Sequence, residues 1–445
     1  MGKTDRDFHV PGRKIPVIAR PDVCVVGGGA AGLSAAVGAA RCGLKVLLLE
    51  RYGFCGGATV AGLSGSICGL FSSGDRPRQI VFGFAGEFHA ALKRSGGAGR
   101  PVPFGRTLLV PHDSLAWKEA ADRFLKEAGI EVLYHTVFLD AFASANGKVS
   151  TLTAQCREGT VAIQPGCVVD ASGDAEVVHS LGGKTSFGAE GVVQTPTMVF
   201  RMGGVDMRRF LRVDPREIDR KVSECDKAGR YRLPRHHVYA FPMPNGHEVL
   251  CNMTRISFPD GSVPSGIKSG DLTYAEMEGR VQARAYAQFL RDNIDGFAKA
   301  YMVDTGTQVG IRQSRSIVGN VRLTNEQVMR AAKAPGAASF SAWPIEAHGP
   351  QSVKIVYLDN QTYDIPFETL VPVHSANLIV AGRCLCAEHE ALASARVTAQ
   401  CFGMGYAAGA ACALMVREKV KSQSLDGPLV ARWMKKNRLK TASER

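Results

Sequence analysis

Three groups of residues in this 445-residue chain have types and spacings that could do chemistry. The first is Gly27-x-Gly29-x-x-Gly32, with Glu50 18 residues beyond the last glycine. In such a pattern the first glycine permits a tight turn, and the second lets backbone approach a pyrophosphate. The third lets a helix close on a strand. The helix that starts there, with Ala31 in its first turn, offers free N–H donors and a partial positive charge to phosphates. Glu50 is placed to accept hydrogen bonds from a ribose, and its charge would repel a 2′-phosphate. The second group, Arg51-Tyr52-Gly53-Phe54-Cys55-Gly56-Gly57-Ala58-Thr59, lets backbone run close under the same ligand. That extra cradle favours FAD over NAD, because an isoalloxazine lies far from its adenosine and needs further contacts. The third group is two arginines and two histidines. Arg312 and Arg315 lie three apart in GIRQSR and would share one face if helical, where they could clamp a carboxylate; a domain-interface ion pair is the alternative. His348 and His389 are candidate acid/base groups.

The elements that would position these groups are legible around the first two. Asp22–Val26 reads as a buried strand, LSAAVGAARCG as a helix and Lys45–Leu49 as a second strand, giving one right-handed βαβ unit. Residues 113–129 form an amphipathic helix capped by Asp113 or Ser114. Strands follow over 130–135, 137–143 and 152–156, with Asn146-Gly147 as a hairpin turn, and 167–170 returns to a buried parallel strand. Residues 186–365 differ in texture, with alternating strands, proline-rich turns and one long polar helix from about 274 to 294; they are expected to form a mostly β substrate or cap domain. From 366 the α/β pattern resumes, with a strand at 377–381 and a long helix after about 394. The expected organisation is an arm over 1–20, a first cofactor-binding part over 21–185, the cap over 186–365, a second cofactor-binding part over 366–420 and a basic tail over 421–445. Gly403-x-Gly405 repeats part of the fingerprint, but it sits in a small-residue helix (CFGMGYAAGAACAL), where close helix packing is the reading.

Composition sets the outer bounds. Hydrophobic residues at 45% and charged residues at 21% exclude bulk disorder. The 49 glycines show no triplet period, which excludes a collagen-like chain; twelve of them fall between Gly27 and Gly69, where about 3 are expected at average usage. Net charge is +13, of which residues 1–20 supply +3 and residues 417–445 supply +6. The body therefore keeps only +4 (13 − 9), which argues against a nucleic-acid partner; the basic tail is read as a solvated or homodimer-contacting end. Twelve cysteines show no zinc spacing, so no metal is expected. The N-terminus lacks the apolar core of a secretory signal, and no run of about 18 apolar residues suggests membrane insertion. Cytoplasmic location with reduced thiols follows as an expectation.

The chain resembles the FAD-dependent oxidoreductase family related to fumarate reductase flavoproteins and geranylgeranyl reductases. The resemblance runs from about Asp22 to Met415 and rests on VVGGGAAGLSAA, LLERYGFCGGAT, VVDASGDAEV, GIRQSRSIVGN, WPIEAHGP and NLIVAGRCLCAEHEALASARVTAQCFGMGYAAG in that order. It implies an α/β fold with a Rossmann-like FAD-binding domain, interrupted by the cap. Carried over, it implies FAD contacts at Gly27, Gly29, Ala31, Gly32, Glu50, Arg51, Gly56, Gly57, Thr59 and Val137. Ser172, Gly173 and Asp174 would meet the adenine or ribose side, with a purely structural Asp174 equally open. Gly382 and Arg383 would meet the ribityl chain and phosphates, a surface salt bridge being the alternative for Arg383. The helix beginning near Ala393, Ser394, Ala395 and Arg396 would aim its N-terminus at the flavin and stabilise the reduced anion. Cys55 departs from the pattern, standing where a hydrophobic residue is expected; a buried thiol is preferred over a redox partner.

These implications give the expected reaction. A small polar, anionic substrate would be dehydrogenated by hydride transfer to flavin N5, with His389 ranked first as acid/base and His348 second, and Arg312 and Arg315 as clamp. His389 could alternatively link covalently to the flavin. The electron acceptor is unidentified. A flavin-dependent C=C reductase, using an arginine or tyrosine acid, is the first alternative. A flavin-binding electron-transfer subunit without its own substrate is the second.

Overall fold

The computed structural model describes residues 12–373 and 375–444, so most of the expected N-terminal arm lies outside the described residues. Strands β1 (Val23–Val26), β2 (Val46–Leu49), β3 (Glu131–Leu133) and β4 (Cys167–Asp170) join Leu378–Val380 in a five-stranded sheet. The order is Leu378–Val380, β4, β1, β2, β3, parallel at every pairing. Continuous apolar runs such as VCVV and VLLL suit strands covered on both faces, and every residue of β1, β2 and β4 is buried. Helix α1 (Ala30–Arg41) makes the β1–β2 crossover, while α2 (Gly83–Arg94) and α3 (Ser114–Glu127) pack nearby. Asp113 is the cap of α3, its Oδ1 accepting from the Ala116 N–H at 2.8 Å.

A second core carries an antiparallel sheet of β5 (Phe200–Gly203), β6 (Tyr239–Pro242), β7 (Glu248–Asn252) and β8 (Tyr301–Thr305), ordered β6-β7-β5-β8. Helices α4 (Pro215–Lys227) and α5 (Ser269–Asn293) accompany it, so this region holds more helix than its sequence texture predicts. The sequence does mark α4: Asp214 caps it, Pro215 opens it, and Ile218, Val222 and Cys225 bury one stripe. Phe200, Tyr286, Phe289 and Phe297 fill the space between sheet and helices.

The chain then returns to the first sheet as β9, the strand Leu378–Val380 already placed at its edge, and continues as α6 (His389–Ala395), α7 (Thr398–Glu418) and α8 (Gly427–Lys436). The expected helix start near 393–396 is corrected here. Ala393, Ser394 and Ala395 close α6, and extended Val397 (φ −75°, ψ 165°) separates it from α7, which opens at Thr398. Gly405 and Gly409 of α7 pack on α1: a Cβ on either would come within 1.9 Å of Ala31 O or 2.1 Å of Ala35 O. Helix α7 is also long and apolar enough to cross a membrane, contrary to the expectation from the sequence, but 83% of its apolar window is buried inside the protein. The basic tail is docked rather than loose, because Val430, Trp433 and Met434 of α8 are buried. A third, small apolar cluster, including Phe104, Phe241 and Trp343, lies apart from both larger cores.

Candidate active site

A cavity of about 420 Å³ runs from the glycine-rich turn after β1 to the third apolar cluster. That size falls within the usual range for ligand sites. Gly27, Gly29, Ala31, Glu50, Arg51, Gly56, Gly57, Thr59, Val137, Ser172, Gly173, Asp174, Gly382, Arg383 and Arg396 all line it. Gly32 acts one layer behind: a Cβ there would sit 1.7 Å from Gly27 O, so glycine lets α1 close on the turn. Ala393, Ser394 and Ala395 are buried within α6. Ser394 instead joins the core, donating to Trp343 O at 2.6 Å and pairing with the Tyr363 hydroxyl at 2.8 Å.

The turn has the form that a dinucleotide needs. Gly27 has φ +96°, and its missing Cβ would lie 2.7 Å from Ala171 O. Gly29 is the N-cap of α1 with no side-chain cap, and Gly57 approaches it so closely that a Cβ on Gly57 would be 3.0 Å from Gly29 Cα. Glu50 is buried, with Oε2 accepting from Gly28 N–H at 2.6 Å and Oε1 from Tyr52 N–H at 2.9 Å. Burial pushes its carboxyl up, and the two amides offset part of that rise. Asp174 takes Arg383 at 2.9 Å and Ser314 Oγ, so the Arg383 charge is already balanced at the cavity wall. Glu176, also on the wall, is pushed up to about 7 by burial and by the charges of Asp174 and Asp170.

The far end has a different chemistry. Arg312, Arg396, Glu346 and His348 all line it; Arg312 and His348 are buried, and Arg396 and Glu346 are half-buried. Arg312 donates to Thr195 O at 2.7 Å, and Arg396 to Gln194 Oε1 at 3.0 Å. Arg396 Nε has no partner among the described residues. Burial and the neighbouring Arg235 and Arg396 guanidiniums hold Arg312 well below the ordinary arginine range, while burial brings Arg396 down to about 10. Burial pushes the Glu346 carboxyl up, but the His348 hydrogen bond and the Arg312 and Arg396 charges outweigh it and hold it at about 2. His348 is held well below its usual value by burial and then by Arg312. The neutral ring therefore donates Nε2–H to Glu346 at 2.9 Å, which leaves Nδ1 as its acceptor. Tyr239 lines the same end; its hydroxyl meets His237 Nε2 at 2.8 Å, and His237 Nδ1 meets Asp219 at 2.6 Å. His237 is exposed, so this chain of groups joins the cavity to solvent.

The other two candidates fall elsewhere. Arg315 opens a strand paired with Thr185–Phe187 and donates to Asp174 O at 3.3 Å, while Arg312 lies outside any helix. The expected shared helical face therefore does not exist. His389 is the first residue of α6 and is not among the cavity-lining residues; its carbonyl accepts from Gln194 Nε2 at 3.5 Å. The Cys55 thiol is buried and pushed up to about 12 by burial, as a bland packing thiol would be. Tyr239, Asn252, Trp343 and Glu346 also line the cavity, and the sequence marks none of them as a candidate. Trp343 and Glu346 at least lie within the WPIEAHGP motif beside His348, whereas Tyr239 carries no local signal.

A family model described as FAD dependent oxidoreductase matches residues 22–435. The chain belongs to this family. FAD is its cofactor, and the open Gly29–Gly57 cradle, the uncapped α1 N-terminus and the Glu50 carboxylate fit the pyrophosphate and ribose of that group. Solved structures of similar fold include a geranylgeranyl bacteriochlorophyll reductase-like protein from Thermoplasma acidophilum (13% identity, 96% of this chain and 93% of that one, TM-score 0.49). Others are a flavin-dependent brominase (14%, 94% and 84%, 0.49) and p-nitrophenol 4-monooxygenase from Pseudomonas putida (12%, 94% and 85%, 0.46). No curated protein matches the chain.

Proposed function

We propose that this FAD-dependent oxidoreductase dehydrogenates a small anionic substrate at the Arg312 end of the cavity. The observation that carries the reading is charge: two guanidiniums, of buried Arg312 and half-buried Arg396, stand near one half-buried carboxylate, Glu346. Arginine keeps its proton under all ordinary conditions, so this end holds a surplus positive charge that an anion would relieve. FAD, when bound, supplies the acceptor of the substrate hydride at N5. Arg312 orients the substrate anion, with its NH1 group fixed on Thr195 O. His348 takes the hydroxyl or amine proton at Nδ1, and the ionised Glu346 on its other nitrogen stabilises the imidazolium that forms. The α7 N-terminus, which has no side-chain cap, adds partial positive charge at Thr398 on the cavity wall. A separate electron acceptor then completes turnover, and the twelve unpaired cysteines suit a reducing compartment such as the cytoplasm.

One observation favours a second reading, the reduction of C=C bonds. The Tyr239 hydroxyl, resupplied through His237 and Asp219, could protonate a substrate carbon. Anaerobic mixing separates the two. Bleaching of the flavin band by hydroxy or amino acids marks the dehydrogenase, and reoxidation of the reduced protein by enoates marks the reductase. For the dehydrogenase, Arg312→Ala raises KM about 10- to 100-fold, as expected for loss of a charged hydrogen bond; an unchanged KM would refute the anion site.

A further inference from the structure

We propose that Glu176 recognises the adenine of FAD as a neutral carboxylic acid, donating to a ring nitrogen and accepting from the exocyclic amine. Either substrate reading above is compatible with this role. Glu176 lines the cavity and is half-buried, yet its carboxyl makes no hydrogen bond or ion pair among the described residues. It stands at the adenosine end. A Cβ on Gly27, in the phosphate turn, would meet Ala171 O at 2.7 Å and Ser172 Cα at 3.1 Å, so the segment 171–176 flanks that turn. Arg51 follows the ribose acceptor Glu50 and is within electrostatic reach of Glu50, Asp174 and Glu176. With the ribose at Glu50, the next group along the cofactor is the base.

The backbone fixes where this carboxyl stands. Ala175 has φ +52°, a left-handed conformation unfavourable for a residue with a Cβ. It is held from both sides: Ser172 Oγ accepts from Glu176 N–H at 3.1 Å, and Asp170 Oδ2 accepts from Val177 N–H at 2.9 Å. Strain maintained in this way fits a segment that must present one side chain. Adenine then selects the protonation state, because its amine edge sets a donor beside a ring-nitrogen acceptor. A carboxylate only accepts and would oppose that nitrogen, whereas the neutral acid offers one acceptor and one donor. The surroundings favour the neutral form. Burial, then the charges of Asp174 and Asp170, push Glu176 up to about 7, with Arg51 and Arg315 pulling the other way. Arg383 is taken up by Asp174, and Glu50 is itself pushed up by burial. His179, on the same short helix Glu176–Ser180, is held below its usual value by burial and by Arg315, so it is neutral where Glu176 titrates.

The test is the dissociation constant of FAD from the full-length holoprotein at pH 6, 7 and 8, read on serial dilution from the rise of free-flavin fluorescence. The bound form keeps a proton that the free site loses above about pH 7, so affinity should fall about 5- to 10-fold between pH 6 and pH 8. Glu176→Gln presents the same acceptor with an N–H donor. It should bind FAD as the wild type does at pH 6 and show no pH dependence. Glu176→Ala should bind about fivefold or more weakly at pH 6, again without the slope. Wild-type affinity that is flat or rises with pH overturns the proposal, a rise being the mark of a carboxylate that accepts from ribose. A wild-type slope in a folded Glu176→Gln protein also overturns it, because the proton then belongs to another group. Glu176→Ala binding as tightly as the wild type at pH 6 would remove this residue from the base altogether.

Discussion

Gly29 is a position where a side chain can be added without straining the backbone. Its φ of −66° and ψ of −177° suit any residue, and a Cβ there meets nothing closer than Gly57 Cα at 3.8 Å. The space it would fill is the cavity itself. Gly29→Val is therefore expected to fold, with an unfolding midpoint in urea near that of the unloaded wild type, yet to purify with less than about a tenth of the flavin, because the new methyls occupy the pyrophosphate approach. Full flavin content would remove the cofactor from that turn. Glu176 gives a second residue-scale test. Folding raises its carboxyl from 4.5 to about 7, so the native chain holds a proton there that the unfolded chain has lost. Stability contributed by this group falls as pH rises from about 4.5 to about 7, and stays lost above that. Glu176→Gln should stabilise the flavin-free protein at pH 8 by ~1–3 kcal/mol and leave it unchanged near pH 4.5, as read by paired thermal melts. Residues of this kind divide sharply in legibility. Gly27, Gly29 and Glu50 announce themselves by spacing because one local turn holds all three. Tyr239 could not be found that way, since only the pairing of β6 with β7 and the distant Phe104 bring its ring to the cavity.

Among the elements, α1 and α7 carry the closest packing, and two glycines make it so. A Cβ on Gly409 would lie 2.1 Å from Ala35 O and 2.7 Å from Ala39 N, both backbone atoms that cannot rotate away. Gly409→Val should cost about 3 kcal/mol or more, visible as a lower urea midpoint. A cost below about 1 kcal/mol would mean that the helices part easily. The small-residue run of α7 is thus a packing surface, and its Gly403-x-Gly405 echo of the phosphate fingerprint is a by-product. The sequence made β1, α1 and β2 plain because strand, glycine turn and helix each carry their own mark. It hid the α6–α7 break, since residues 391–399 offer no proline or glycine and the N-cap position is Val397, which has no side-chain cap. The extended Val397 is fixed by distant partners: Ala399 N–H donates to Cys68 O at 3.0 Å and the Thr398 hydroxyl to Ser66 O at 3.5 Å. Helix α4 shows the converse, a start marked by Asp214 and Pro215 inside a region whose overall texture suggests strands.

At the scale of the whole molecule, Gln308 is one of the residues that tie the two larger cores together, and it does so at the FAD cavity. Gln308 Oε1 accepts from Arg51 at 2.9 Å and from the Tyr52 hydroxyl, so a residue beyond β8 is held to the end of β2. The next residue, Val309, donates its N–H to Glu276 of α5 at 2.6 Å, and Gln308 N–H donates to Ala61 O at 3.0 Å. Arg51, Tyr52, Gln308 and Glu276 all line the cavity, so the joint sits on the cofactor's own wall. Bound FAD and this joint should therefore reinforce each other, each holding the parts that the other needs. Gln308→Ala removes two side-chain hydrogen bonds worth ~1 kcal/mol each, which should speed FAD release about 10- to 30-fold, followed by the rise of free-flavin fluorescence after dilution. The same change should narrow the gap in melting temperature between loaded and unloaded protein, because weaker binding gives less linkage stabilisation at a fixed FAD concentration. Wild-type release with an unchanged gap would mean that the cofactor is retained by the β1–α1 turn alone. The second core would then be positioned over the site by packing, without help from the ligand beneath it.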